Sequence, residues 1–270
     1  MLHSEPTVIT STRNPRIVEA RKLAQRKHRE RQARFWVEDL TILEMAAAGG
    51  AQPLEVFYCQ SQLVDRQGQA LLDRFRQSGA EVWPVSPQVM VALSQREAPE
   101  GMAATFALFE TELRELSLDR RSLVVVLDRL QDPGNLGTLI RTADAVGASA
   151  AILIEPCVDP FDPKTVRATM GSLFNVPVVC SLDARGTFSY LREKRLSLVG
   201  TDPQRGKAWG EGILEGGVAL VLGNETRGLS DDVRPFVEAW AHVPIVGRAE
   251  SLNVAVAGSV LMYAWLRANL

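Results

Sequence analysis

Apolar residues along this chain fall into short continuous runs, separated by mixed stretches in which they recur at helical spacing. Asn14-Pro15 supplies a cap and a first-turn proline for a charged helix reaching about Ala33, and Phe35-Trp36-Val37 reads as a strand. Leu40 to Ala48 predicts a helix stopped at Gly49-Gly50, and Leu54 to Cys59 a buried strand. A helix from Gln69 to Gln77, a strand from Glu81 to Trp83, a short helix after Pro87 and a strand from Ala103 to Phe109 complete a small α/β domain over residues 1–110. Residues 111–121 are charged, lack strand character and form a linker.

Residues 122–270 make a second domain. Its strands are Leu123 to Leu127, Ala150 to Ile154, Val176 to Val179, Leu196 to Val199, Val218 to Leu222 and Ala241 to Val243. Most are continuous apolar runs with helical stretches between them, which predicts an α/β fold whose mostly parallel sheet carries helices on both faces. The chain closes with an apolar segment from Asn253 to Leu266, where Ala255, Ala257, Gly258 and Ser259 allow a helix to pack closely.

Composition narrows the chemistry. At 270 residues and 46% hydrophobic content, two ordinary domains fit. The formal charge of -2 leaves no overall attraction for nucleic acid. Between Ser11 and Arg34, however, nine cations face only Glu19 and Glu30, a local charge of about +7. Its bland explanation is a solvated helix face. Cys59, Cys157 and Cys180 are widely spaced and odd in number, which fits a reducing cytoplasm. His3, His28 and His242 lie too far apart in sequence to suggest a zinc site or a Ser-His-Asp triad, so no metal is expected. No apolar run reaches the roughly 18–20 residues of a membrane span, and no signal peptide opens the chain, so the expected location is cytoplasmic.

Three segments carry candidate chemistry. In Asp128 to Ala143 a strand ends in a Pro133-Gly134 turn and a helix begins near Asn135, placing Asn135 and Arg141 toward the carboxyl end of the sheet, where open α/β folds bind ligands. The bland alternative makes Asn135 a helix cap and Arg141 a surface cation. Gly223-Asn224-Glu225-Thr226-Arg227-Gly228 follows a buried strand, with glycines at both ends for a sharp turn or close approach to a ligand. It has no Walker lysine, and no Gly-x-Gly-x-x-Gly follows any strand, which disfavours nucleotide-phosphate and dinucleotide sites. In Ser251-Leu252-Asn253-Val254, Ser251 is a candidate cap for the last helix.

Taken in order, Asn135 to Arg141, Gly223-Asn224-Glu225 with Gly228, and Ser251-Leu252-Asn253-Val254 resemble the three motifs of the SpoU/TrmH family of RNA ribose methyltransferases, over roughly residues 122–270. Asp159-Pro160-Phe161, Lys164, Arg167, Gly171 and Phe174-Asn175-Val176-Pro177 resemble the members that modify ribosomal RNA. Ser11-Thr12-Arg13-Asn14-Pro15 and Phe35-Trp36-Val37-Glu38 resemble their N-terminal substrate-binding domain. The resemblance implies a deep trefoil knot, a homodimer with the site at its interface, and methyl transfer from S-adenosylmethionine to a ribose 2′-hydroxyl, most naturally in 23S ribosomal RNA. A transfer-RNA enzyme and a non-catalytic RNA-binding or ribosome-assembly factor remain the alternatives.

By the same resemblance, the cofactor is held at Thr201, Gly223, Val243, Ile245 and Leu252, largely through main chain, and the catalytic set is Asn135, Arg141, Glu225, Ser251 and Asn253. Two positions depart from the family pattern: Ala255 stands where Ser is common, and Asp39 where Gly is usual.

Overall fold

The computed structural model describes residues 7–94, 96 and 98–270; the start of the chain, with His3, lies outside them. The chain forms two compact units, one of residues 1–109 with 161–174 and one of 110–160 with 175–270. No helix among the described residues is long and apolar enough to cross a membrane.

The first unit contains α1 (Pro15–Lys22), α2 (Arg26–Gln32), β1 (Arg34–Glu38), α3 (Leu40–Ala48), β2 (Glu55–Tyr58), α4 (Arg66–Gln77), β3 (Glu81–Pro84), α5 (Pro87–Leu93) and β4 (Met102–Ala107). Its sheet runs β1-β4-β2-β3, antiparallel except for β2 with β3. The single helix expected from Asn14 to Ala33 is two. The chain leaves α1 at Leu23, whose side chain is buried in the core, and the buried Arg29 guanidinium donates to the Leu23 carbonyl at 2.7 Å. A charge-assisted bond to a carbonyl released at a helix end offsets the lost helical bond, and no glycine or proline is needed to mark the break.

Residues 161–174, expected in the second domain, belong to the first unit. They include α7 (Pro163–Thr169). Phe161 and Phe174 lie with ring centroids 4.9 and 6.0 Å from Phe35, and Phe106 and Phe109 complete the aromatic cluster. Arg167 adds an ion pair at 3.0 Å to the buried Glu38. Asp39, the departure from glycine, has φ of +107°, a conformation that costs a side-chain-bearing residue about 1–3 kcal/mol. Its carboxylate caps α3 at the Thr41 N–H, 3.0 Å, and pairs with Arg96 at 2.8 Å, contacts that hold the strained backbone.

The second unit contains β5 (Leu123–Asp128), α6 (Pro133–Ala145), β6 (Ala150–Ile154), β7 (Val178–Ser181), α8 (Ala184–Glu193), β8 (Ser197–Thr201), β9 (Lys207–Ala208), β10 (Val218–Leu222), β11 (Ala239–His242) and α9 (Val254–Asn269). Seven strands run β7-β6-β5-β10-β8-β11-β9, and every neighbouring pair is parallel. Alternate residues of the central strands point to opposite faces. Val124, Val126, Ile152, Ala219 and Val221 pack with Phe188 and Leu191 of α8. On the other face Gly258 of α9 lies between Leu139 of α6 and Leu222 of β10, where an added Cβ would sit 2.6 Å from each. The small residues near the C-terminus therefore serve close packing within the unit. Only β9, two residues long, had no apolar run to signal it.

No cysteine forms a disulfide. Cys59 and Cys157 are buried and Cys180 is exposed; burial pushes the Cys157 thiol up to about 12. Since the thiolate is the nucleophile, native protein treated with iodoacetamide at pH 8 is expected to take one label, at Cys180, and three after denaturation. Rapid native labelling of Cys157, read by peptide mass spectrometry, would contradict that burial.

Candidate active site

Because the sheet of the second unit is parallel, the carboxyl ends of β5, β8, β10 and β11 share one edge. Strand order changes direction between β5 and β10: the chain goes from β5 to β6 and β7 on one side, then returns to build β8, β10 and β11 on the other. Crevices at such switch points are where open α/β sheets hold ligands. Every residue of the candidate site ends or follows one of these four strands.

Beside β10, the Gly223–Gly228 segment closes on itself. Asn224 N–H donates to Gly228 O at 3.0 Å and Gly228 N–H to Asn224 O at 2.9 Å, with Gly228 at φ +67°. A Cβ on Gly223 would lie 2.3 Å from the Gly228 carbonyl carbon and 2.5 Å from Leu229 N, so backbone packs on backbone and only glycine fits. The Asn224 side chain stiffens the turn, accepting from Thr226 and Arg227 N–H at 3.0 and 3.1 Å and donating to Arg129 O at 2.9 Å. Asp128, fully buried at the end of β5, accepts from Ser230 N–H at 2.6 Å and its hydroxyl at 3.1 Å. These bonds tie the loop after β10 to the loop after β5.

Across that junction three of the expected catalytic side chains form a chain of hydrogen bonds. Asn253 donates to Asn135 Oδ1 at 3.0 Å, and Asn135 donates from Nδ2 to Glu225 Oε1 at 3.0 Å. With the amides so assigned, each Asn presents one end to a neighbour, and the Glu225 carboxylate also receives Asn224 Nδ2 at 3.3 Å. Asn135 is not the cap of α6: Asp132 is, accepting from Asn135 N–H at 2.8 Å, which frees the Asn135 side chain for the network. Likewise the cap of α9 is Asn253, not Ser251, through bonds from Ala255 and Val256 N–H at 2.9 and 3.2 Å.

Next to this network lies a cavity of about 270 Å³. All five expected cofactor residues line it: Thr201, Gly223, Val243, Ile245 and Leu252; so do Glu225 and Ser251. Thr201 donates its hydroxyl to Val221 O at 3.2 Å. Asp202 and His242, which also line the cavity, were not expected; a polar residue directly after β8 and one at the end of β11 were their signal in the sequence.

Arg141 stands apart. It is not among the lining residues, is exposed, and its side chain makes no hydrogen bond or ion pair among the described residues. Six residues along α6 put it about 9 Å further down the helix axis than Asn135 and about 120° around it. Its guanidinium is available for an anion.

The basic segment of the first unit is less available than its count implied. Arg16 pairs with Glu55 and Glu81 at 3.0 and 2.9 Å and stacks 3.8 Å from the Trp83 ring centre. Arg34 pairs with Glu55, Arg26 with Glu30, and Lys22 and Arg31 with Glu19. Burial and the neighbouring Arg31, Lys27 and Lys22 lower the His28 pKa, so it adds no charge at neutral pH. Arg13, Arg21 and Lys27 are exposed without a carboxylate partner among the described residues.

Comparison with known proteins places this geometry. Residues 122–263 match the model of the SpoU rRNA methylase family, and residues 14–104 match the MRM3-like substrate binding domain. The 23S rRNA (guanosine(2553)-2′-O)-methyltransferase RlmP of Bacillus subtilis is 31% identical over 94% of this chain and 97% of its own length. The crystal structure of AdoMet-bound rRNA methyltransferase from Sinorhizobium meliloti superposes with a TM-score of 0.89 at 31% identity, over 99% of this chain and all of that one. The SpoU methyltransferase AviRb from Streptomyces viridochromogenes, in complex with AdoMet, gives 0.84 at 28% identity, over 94% of this chain and 98% of that one. With its three motif segments gathered at one edge of a parallel sheet, this chain belongs to the SpoU rRNA methylase family.

Proposed function

We propose that this protein methylates a ribose 2′-hydroxyl of 23S ribosomal RNA with S-adenosylmethionine as donor. The observation that carries this reading is the hydrogen-bonded chain Asn253–Asn135–Glu225 beside a cavity lined by Gly223, Val243, Ile245 and Leu252. The cavity fits the donor: it is near the roughly 300 Å³ lower range of small-molecule sites, and its lining joins apolar residues to the polar Thr201, Asp202 and Glu225. Bound there, S-adenosylmethionine supplies an electrophilic methyl group.

The protein's task is to make a weak nucleophile reactive. A ribose hydroxyl develops negative charge as it loses its proton, and a guanidinium that also grips the adjoining phosphate lowers the cost of that charge. Arg141, with no carboxylate partner, takes this role as an electrostatic activator. A guanidinium does not itself serve as the base at pH 7, because its pKa exceeds about 12. Glu225 fixes Asn135, which orients the ribose, and receives the proton through water; Ser251 and Asn253 hold the phosphate and the loop.

The same reading includes the family's trefoil knot and homodimer in the cytoplasm. Val243, Ile245, Ser251 and Leu252 sharing one cavity with Gly223, and α9 packed on β10, support the first. Val256 and Tyr263, half-exposed and two turns apart on α9, support the second as a face to be covered. Arg141, lying outside the cavity of its own chain, fits a site completed between two copies.

S-adenosylmethionine at 100 times its Kd is expected to stabilise the protein by about 2.7 kcal/mol, seen as a higher Tm, whereas NAD should leave it unmoved. An unchanged Tm at millimolar S-adenosylmethionine would sink the reading. The first unit contributes RNA affinity through Arg13, Arg21 and Lys27. Replacing all three with alanine should lower the slope of log K against log salt by up to about 2, at roughly 0.7 per single-strand phosphate contact. An unaltered slope in filter binding would reduce that face to a solvated one.

A further inference from the structure

Trp209 is 40% exposed at the open end of the second unit's sheet, beside the cavity but not part of it. Its position is built. β9 pairs with β11 in parallel, Lys207 opposite Ala241 and Ala208 opposite His242. Trp209 is tied to that last pair, since its N–H donates to His242 O at 3.1 Å. Opposed residues share a sheet face and alternate along the strand. Lys207 therefore lies on the face carrying Ala241 and its other partner Thr201, both of which line the cavity, and Trp209 opens the turn that follows β9, beside His242, a further lining residue. The approach of β9 is fixed by Gly206 at φ +82°, where a Cβ would fall 1.8 Å from Trp240 O.

Two cations precede Trp209 in the chain. Lys207 is exposed and, among the described residues, has no carboxylate partner; Arg205 is 60% exposed and reaches Asp202 only at 3.8 Å. A half-exposed indole two residues from a free ammonium presents what unpaired RNA requires: a π-surface for a base and a cation for its phosphate.

We propose that Trp209 is a stacking platform for an unpaired nucleobase of the RNA substrate, next to the ribose being methylated, with Lys207 holding a phosphate of the same strand. This rests on the methyltransferase reading and adds how the site grips its substrate. Stacking on an aromatic side chain is sequence-tolerant, so the platform serves to splay the strand across the site rather than to read a base.

The test uses the full-length protein, tritiated S-adenosylmethionine and a 23S ribosomal RNA transcript made in vitro. Trp209→Ala is expected to raise KM for RNA roughly tenfold, within the range of one lost base–aromatic stack, and Trp209→Phe to recover most of it. The Kd for S-adenosylmethionine, by calorimetry, should stay within about twofold in both variants, since Trp209 lies outside the cavity lining. Lys207→Ala should lower the salt slope of RNA binding by about 0.7. An unchanged KM in Trp209→Ala would overturn the proposal while leaving the methyltransferase reading intact. So would a KM rise matched by equal losses of cofactor affinity and Tm, which marks a packing role. If the unsubstituted protein methylates no RNA, the reading fails and this inference with it.

Discussion

Arg141→Ala is expected to lower kcat by roughly 100- to 1000-fold, the usual loss when one preorganised donor to a developing anion is removed. S-adenosylmethionine affinity should stay within about twofold, because Arg141 does not line the cavity. Stability should also hold, within about 0.5 kcal/mol, as expected for an exposed side chain without partners. The substitution thus separates chemistry from folding. Arg141→Lys should recover little, since an ammonium cannot hold a phosphate oxygen pair in the planar bidentate geometry of a guanidinium. Radiolabel transfer at saturating RNA measures the loss, and unchanged turnover in Arg141→Ala would remove Arg141 from the mechanism.

The second large effect is expected at Gly223. Alanine there drives a methyl group against the Gly228 carbonyl carbon at 2.3 Å and Leu229 N at 2.5 Å, and main chain cannot step aside as the tip of a side chain can. The Gly223–Gly228 turn must open, displacing Asn224 and Glu225 together. Both cofactor affinity and kcat should fall below detection, with a stability loss of about 1–3 kcal/mol typical of overpacking. Gly247→Ala is the matched control: no atom lies within 4 Å of its added methyl, and its stability should change by less than about 0.5 kcal/mol. Calorimetric binding and denaturant melts of the two variants read the contrast; normal cofactor binding by Gly223→Ala would contradict the loop geometry.

Much of this architecture is legible in the sequence because its strands are buried on both faces. Val218 to Leu222 and Ala150 to Ile154 are uninterrupted apolar runs, and the observed strands have those bounds. Helix ends carrying proline or glycine were equally plain, as at Pro87 and Gly49. What escaped depends on contacts distant in sequence. The break after Lys22 rests on a buried guanidinium six residues beyond Leu23, and the transfer of residues 161–174 to the first unit rests on phenylalanines separated by more than fifty residues. Neither leaves a periodic trace.

The candidate site was legible in a different way. Asn135, Glu225 and Asn253 drew notice as polar residues beside buried strands, and the bonds joining them explain why they can stand there. Local rules misassigned the helix caps, because Asp132 and Asn135 compete for one helix start, as Ser251 and Asn253 do for the other. Asp128 is hidden from local rules for a similar reason. At the end of an apolar strand it reads as a turn residue, and only its bonds to Ser230, 102 positions away, reveal it as the anchor of the loop after β10. Charge counting overstated the basic segment, since six of its cations are held by Glu19, Glu30, Glu55 and Glu81 or by a main-chain carbonyl.

The most direct test of the central claim is the chemical identity of the product. The purified protein should be incubated with methyl-tritiated S-adenosylmethionine and an unmodified 23S ribosomal RNA transcript, and the RNA digested to nucleosides and separated by chromatography. The account predicts that the label elutes with a single 2′-O-methylnucleoside and disappears with Arg141→Ala. Label on a base, or no transfer to any RNA by protein that binds the cofactor, would contradict it.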